Sequence, residues 1–351
     1  METIQKLAET QASDVRGTSS TTYGLEPIQY LKEIVDGAKT QLFFTNFVTE
    51  ITAPAGVHDV ILPKRTVYEG ASMTYDTTER IGSDISWTTL DNLTSVIATP
   101  TPVISGYALS NFSLRTNAVN LLKVARDELS YSIGNRVDSA IAVALGDATV
   151  ASNSVRGAQT LYGGDATSAA TLEAGDVITT DLVAKAARYL KDTRMYYRAS
   201  GAYGTETLSA VAKNPWSNDN SEPFVLFISP AQEETFRKDS QFVNAAEYGS
   251  NKVVMNGEIG EYLGIKVVVT TNCEQTAASA TAPDGTTAAV ACTRCIMMKA
   301  KRAAALVWGQ KPEIKVFDYP TRDQTRISLV CAYAIKVTQD DAIVFVDLAL
   351  V

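Results

Sequence analysis

Apolar and polar positions change their rhythm several times along the chain. Residues 1 to about 24 are polar and rich in Ser and Thr (Thr18-Ser19-Ser20-Thr21-Thr22) and hold no sustained period, which predicts an extended or flexible arm. From Glu26 the pattern becomes helical. Pro27 suits a first turn, and Ile28, Leu31 and Val35 recur at spacings of three and four, predicting a short amphipathic helix to about Lys39. Leu42-Phe43-Phe44 and Phe47-Val48 then form a dense apolar patch. Residues 51 to about 106 read as β structure, with Gly70, Gly82 and Asp91-Asn92 as turns. Lys64 to Asp84 is too polar for a buried sheet and predicts a long hairpin projecting from a body. A lone two-stranded hairpin is marginal in water, so a projecting one needs a neighbour to lie on. Tyr68, Tyr75 and Trp87 are its candidate inter-subunit contacts.

From Ser110 to about Gly146, apolar residues from Leu114 and Leu121 through Ile133, Val137 and Leu145 recur at helical spacing. Ser110 is a candidate N-cap and Gly146 a stop, which predicts one helix of roughly 55 Å at about 1.5 Å per residue. Arg115, Lys123, Arg126, Asp127, Glu128, Arg136 and Asp138 fall off the apolar stripe and are expected on its polar side. Residues 147 to 178, rich in Ala, Thr, Gly and Ser, read as a connection. Asp181 to Arg194 reads as a helix and Tyr196 to Ser221 as a loop. Phe224 to Ile228 reads as a buried strand, followed by a helix that Ser229 caps, with Pro230 in its first turn and Gln232 three residues after the cap. A turn-rich stretch, Asn256 to Gly264, leads into a strand over Ile265 to Thr270, and 273 to 290 reads as an exposed loop. Three strands close the chain: Cys295 to Lys299, Ile327 to Val337, and Ala342 to Val351.

Charge narrows the functions that suit this pattern. The 351 residues carry 31 Lys and Arg against 39 Asp and Glu, a formal net charge of -8. A protein that grips duplex DNA through its phosphates needs a basic surface, so tight DNA binding is disfavoured. No run approaches the length of a membrane span. No basic segment followed by an apolar run opens the chain, so a product that stays in the cytosol is expected.

Candidate chemistry is sparse. There is no GxSxG elbow, P-loop or HExxH. The one histidine, His58, lies where a hairpin should begin and reads as a strand residue. Cys292-Thr-Arg-Cys295 is a CxxC without a second ligand pair, so a metal or redox role is disfavoured beside two cysteines entering a hydrophobic strand. Gly257 to Gly264 leads into a strand, whereas a phosphate loop follows a strand and opens a helix. Asp340-Asp341 reads as a solvated turn. The basic run Lys299-Ala300-Lys301-Arg302 reads as a solvated strand end, with an anion contact as the alternative. No catalytic, cofactor-binding or metal residue is selected.

The order of parts carries more than any motif: polar arm, short helix, projecting hairpin, very long helix, an α/β region and closing strands. This order resembles the major capsid proteins of tailed phages, an α+β, HK97-like (Hong Kong 97) fold. Phe224 to Pro230, then a helix, then Asn256 to Gly260 and Leu263 to Thr270, is similar to that family's strand, short helix, glycine turn and hydrophobic strand. Ala304 to Pro312 resembles the branch typified by the coat protein of phage N-four. The resemblance implies an N-arm over 1–50 and an E-loop hairpin over 51–106. It implies a peripheral domain over 107–177 with its spine helix at about 110–146, an axial domain over 178–298, and closing peripheral strands over 299–351. It implies self-assembly into hexamers and pentamers of an icosahedral head that encloses double-stranded DNA without gripping it. Portal, scaffold or decoration proteins are implied as partners. The virion capsid is the implied location, assembled in the host cytoplasm. An encapsulin-type compartment shares the fold, and a soluble enzyme with an unrecognised carboxylate site is the reading from another class.

Overall fold

The computed structural model describes residues 44–54, 56–65, 93–116, 120–152, 154–198, 206–238 and 261–350. The expected N-terminal helix, the outer part of the hairpin and the glycine turn at 256–260 lie outside them. In chain order the strands begin with β1 (Thr49–Thr52), β2 (Val60–Arg65), β3 (Leu93–Ala98) and β4 (Thr101–Ser110). Helices α1 (Asn111–Thr116) and α2 (Leu121–Gly146) follow, then β5 (Gln159–Tyr162), α3 (Thr180–Lys191), β6 (Arg194–Arg198), β7 (Glu206–Ala212), β8 (Phe224–Ile228) and α4 (Pro230–Lys238). The rest is β9 (Glu261–Tyr262), β10 (Ile265–Val269), β11 (Glu274–Thr276), β12 (Cys292–Lys299), β13 (Ala304–Tyr319), β14 (Gln324–Val337) and β15 (Ile343–Ala349).

Two sheets organise these elements. A four-stranded sheet runs β1-β13-β14-β4, and a seven-stranded sheet runs β5-β15-β12-β8-β10-β9 with β11 added to β12. Strand alternation sorts the second sheet cleanly. Val225, Phe227, Ile296, Met298 and Phe345 point into a core shared with α2. Leu226, Ile228, Cys295, Met297, Val344 and Val346 point the other way, under α3 and α4. With both faces covered, β8, β12 and β15 are buried at every position, as their unbroken apolar runs require.

The long helix joins the sheets. Ala125, Leu129, Ile133, Val137, Ile141 and Leu145 form its buried face, packed against Leu306, Ile327 and Leu329 of the four-stranded sheet and against the seven-stranded sheet in one core. It is shorter than the pattern suggests. Ser110 ends β4, opposite Gln324, and stands before the short helix α1 rather than at the start of α2. The helix starts where the Asn120 side chain accepts a hydrogen bond from the Lys123 amide, so its 26 residues span about 39 Å. Asp138, expected on the polar side, is fully buried. Its Oδ1 accepts from the Phe44 amide at 2.8 Å and the Thr45 amide at 3.4 Å, and its Oδ2 from the Asn272 side chain at 3.0 Å. The carboxylate thereby ties the first described turn, whose Phe44 stacks on Phe227 at 4.1 Å, to the helix.

Several segments depart from their sequence reading. β13 was not expected, because Gly309 and Pro312 interrupt its pattern. Register shifts between Trp308 and Glu313 absorb both breakers while the ladder with β14 continues to Tyr319. Tyr196 to Ser221, read as a loop, holds the β6–β7 hairpin. The connection over 147–178 contains β5, which pairs in parallel with β15. The closing stretch 299–351 divides between the sheets, since β13 and β14 belong to one and β15 lies inside the other. Ser229 does cap α4, its Oγ accepting from the Gln232 amide at 3.4 Å. The Gln232 side chain does not return to the cap; it accepts from the Ile178 amide and donates to the Ala349 carbonyl, holding α4 to the sheet.

Lys213 is buried and donates to the Leu190 carbonyl at 3.3 Å. Burial pulls its ammonium down to about 8, opposed by Asp341 and Asp192. Between that value and the ordinary lysine value the unfolded chain holds more protons than the folded one, so stability rises with pH. Relative to Lys213→Met, the natural chain is expected to gain about 1.5 kcal/mol from about pH 8 to about pH 9.5, read from urea midpoints of both proteins.

Candidate assembly interface

The surface feature with the clearest purpose is the strand pair at the base of the expected hairpin. β2 and β3 pair antiparallel, and alternation places Leu62 and Ala98 inward, against Ala305, Val307 and Ala334 on the outer face of the four-stranded sheet. Ile61 and Ile97 sit directly opposite each other on the other face, and both are more than half exposed. Two contacts fix the root. Lys64 Nζ donates to Asp340 Oδ2 at 2.7 Å, and the Thr99 hydroxyl donates to Asp59 Oδ1 at 2.5 Å. That hydroxyl, with His58 beside it, holds the exposed Asp59 carboxyl below its ordinary range. The candidate contacts Tyr68, Tyr75 and Trp87 lie outside the described residues.

Two depressions flank α2. One of about 740 Å³ lies between α2 and the end of β14, with Arg136 and Lys336 both exposed at its wall and Thr99 and Thr101 beside the hairpin root. The other, about 270 Å³ and apolar, lies on the β13 side under Gly134, Trp308, Ile314 and Leu329. At the far end of the four-stranded sheet Ile104, Tyr107, Phe112, Val316, Phe317 and Tyr319 are all exposed. Exposed apolar groups gathered in one region are the mark of a surface that another chain covers.

The polar groups singled out by sequence lie at separate places in the fold. His58 is exposed, 3.0 Å from Asp59. Cys292 and Cys295 lie three apart on one strand and so face opposite sides of the sheet, in different core clusters. Among the described residues no group of three His, Cys, Asp or Glu side chains could hold a metal ion. Asp341 is buried rather than solvated and accepts from the Asn214 amide and side chain. Lys299 is buried too. It donates to the Ser217 and Glu222 carbonyls and lies 3.6 Å from Asp219, so it clamps a loop and is neither solvated nor open to an anion. Lys301 and Arg302 are exposed, with Arg302 paired to Glu222 at 2.9 Å.

A row of ionisable groups was not singled out from the sequence. Ladder partners place Glu274, Arg294, Asp347 and Tyr162 in line across β11, β12, β15 and β5. Arg294 grips Asp347 through two hydrogen bonds, Nε to Oδ1 at 2.8 Å and Nη2 to Oδ2 at 2.7 Å, with both side chains buried. Burial pushes the Asp347 carboxyl up and Arg294 draws it back. The Tyr162 hydroxyl donates to Asp284, and burial pushes that phenol up. Burial likewise works to raise Asp284, but hydrogen bonds from Ala169, Thr286 and Tyr162 outweigh it and hold that carboxyl low. The only available signal was the charged residue inside each of two apolar strands.

A family model described as phage capsid protein matches residues 88–346, well over half the chain. The chain belongs to the phage capsid protein family. This capsid protein also has the fold of solved tailed-phage capsids, the HK97-like architecture that its order of parts resembled. The cyanophage Pam1 capsid superposes with a TM-score of 0.67 at 14% identity, covering 94% of this chain and 98% of that one. The capsid of Ralstonia phage GP4 gives 0.64 at 15% identity, covering 95% and 98%. Mycobacterium phage Che8 gives 0.60 at 15% identity, covering 92% and 97%. No curated protein matches the sequence at a significant level. The match does not narrow to the N-four branch. The capsid protein is a structural subunit of a phage head shell.

Proposed function

We propose that the capsid protein builds hexamers and pentamers of an icosahedral head by seating its projecting hairpin on a neighbouring copy, in the depression beside α2 that carries Arg136 and Lys336. The observation that carries this reading is complementarity of charge. Residues 66–92 hold Glu69, Asp76, Glu79, Asp84 and Asp91 against one base, Arg80, and the depression presents two exposed cations, Arg136 and Lys336, against one exposed acid, Asp147. Complementary charge sets register between partners, and apolar contacts supply area. Tyr68, Tyr75 and Trp87 are the aromatic anchors of the arm, continuing from the exposed Ile61 and Ile97. A contact that uses unlike surfaces on each copy closes into rings.

In this reading residues 1–50 are an N-arm, the four-stranded sheet with α2 is the peripheral unit, and the seven-stranded sheet is the axial unit. The subunit has no catalytic role. Double-stranded DNA is enclosed without being gripped, assembly occurs in the host cytoplasm, and portal, scaffold or decoration proteins join the same shell. Electron microscopy and light scattering of the purified protein test this. Rings or closed particles are expected. Arg136→Glu with Lys336→Glu is expected to cut assembly at least tenfold, as loss of about 1.4 kcal/mol per contact does. A natural protein that stays monomeric at high concentration sinks the reading.

A further inference from the structure

All four cysteines of the chain are buried and free, and two of them meet. β11 pairs with β12 so that Glu274 stands opposite Arg294. One step back along that register, Cys273 stands opposite Cys295. Directly opposed residues of antiparallel strands lie about 4.5–5.5 Å apart at Cα, inside the roughly 4.4–6.8 Å that a disulfide spans. On the same edge of β12 the pairing with β8 begins at Ile296, so residue 295 lies where β12 changes partner and neither strand holds it. The chain facing it is the crossover from β10 to β11, which leaves β8 after the Thr270 amide has donated to the Ile228 carbonyl at 2.9 Å. Cys273 stands one residue off the ladder, so strand alternation does not assign it a face. It packs in the core shared with α2, and Cys295 in the core under α3 and α4. Their side chains nevertheless hydrogen-bond, at the place where the edge is open. The partner of Cys295 is therefore not its CxxC neighbour Cys292, which lies in a third cluster with Tyr162 and Ala288. Cys331 lies in the other sheet.

We propose that Cys273 and Cys295 form a modification site, a thiol pair that oxidises to a disulfide and pins the crossover between β10 and β11 to β12. The oxidant is a peroxide, small enough to enter during local opening of a site that is 6% exposed at Cys273. The Cys273 thiolate attacks one peroxide oxygen, which leaves Cys273 as a sulfenic acid and, with a proton taken up, releases water. The Cys295 sulfur then displaces the sulfenic oxygen as a second water. Two thiols and one hydrogen peroxide thus give one disulfide and two waters; the sulfurs lose two electrons and the peroxide gains them. Hydrogen bonding to Cys295, then burial, pushes the Cys273 thiol well up. Since the thiolate is the reacting form, the pair closes slowly at neutral pH and faster in alkali. Once closed, the bond is shielded by burial from reducing thiols, which must reach a sulfur to break it. A reducing cytosol keeps such a pair open and an oxidising medium closes it, so the link separates subunits that have met an oxidising medium from those that have not. It belongs to the subunit and is independent of how the hairpin docks.

The test is a peptide map of the purified full-length protein after prolonged exposure to hydrogen peroxide at about pH 9. Remaining thiols are alkylated in denaturant, and nothing is reduced before digestion. A peptide joining Cys273 to Cys295 is expected, with Cys292 and Cys331 alkylated. The thermal midpoint should rise by about 4 °C, because the bond closes a loop over residues 274–294. Cys273→Ala and Cys295→Ala should each lose the linked peptide and the rise, whereas Cys292→Ala keeps both. If an alanine variant does not fold, the map of the natural protein decides the matter by itself. Cys273 and Cys295 both recovered as alkylated thiols, either one carried to sulfinic acid without a link, or Cys295 joined to Cys292 overturns the proposal.

Discussion

Replacing Arg294 with alanine is expected to cost the fold about 3–5 kcal/mol, because it strands Asp347 as an unpaired charge in the centre of a sheet. Asp347 is 4% exposed, so water cannot replace the two hydrogen bonds it would lose. The guanidinium also lies 4.4 Å over the Phe345 ring, and that packing goes with it. The cost comes from breaking the pair and not from the pair's net worth. Arg294→Met combined with Asp347→Leu, which removes both charges and keeps volume, should therefore fall within about 2 kcal/mol of the natural protein. Urea unfolding of both singles and the double completes the cycle. A double variant as unstable as Arg294→Ala would show that the ions do more than neutralise each other.

Asp138→Ala should be next in size, on the order of 3 kcal/mol. It leaves the Phe44 and Thr45 amides and the Asn272 side chain without their acceptor in a buried site. The loss propagates, since Phe44 is the ring stacked on Phe227 and anchors the first turn to the sheet. Asp138→Asn keeps one acceptor oxygen and should lose about half as much. Hydrogen exchange at Phe44 separates local release from global loss. Fast exchange there with protected β8 amides means the turn has detached by itself.

These two residues also show what the sequence could reveal. Unbroken apolar runs such as Phe224 to Ile228 announce their own burial, and the alternating Ile327 to Val337 announces a strand with one buried face. A carboxylate buried for its hydrogen bonds announces nothing. Asp138 looks like any polar helix position until the amides of Phe44 and Thr45 arrive, 94 and 93 residues away in sequence. Arg294, Asp347 and Lys299 are hidden in the same way, because their partners are set by register and loop path. β13 was missed for a different reason. Its breakers, Gly309 and Pro312, sit where the ladder slips, and a slip carries no local signature. Of the assembly surface, the strand pair that β2 and β3 form at the base of the expected hairpin was legible from apolar pattern. The depression that Arg136 and Lys336 share was not, since α2 and β14 meet only in space.

The position of β15 has a consequence for how the subunit is made. It is the last strand in chain order, yet it lies between β5 and β12 and is the partner that ties β5 into the sheet. A nascent chain leaving the ribosome therefore carries β5, α2 and most of the shared core long before the strand that closes them. The seven-stranded sheet forms only once residues 343–349 have emerged. A product truncated before β15 therefore has no finished sheet with which to enter and poison a growing shell.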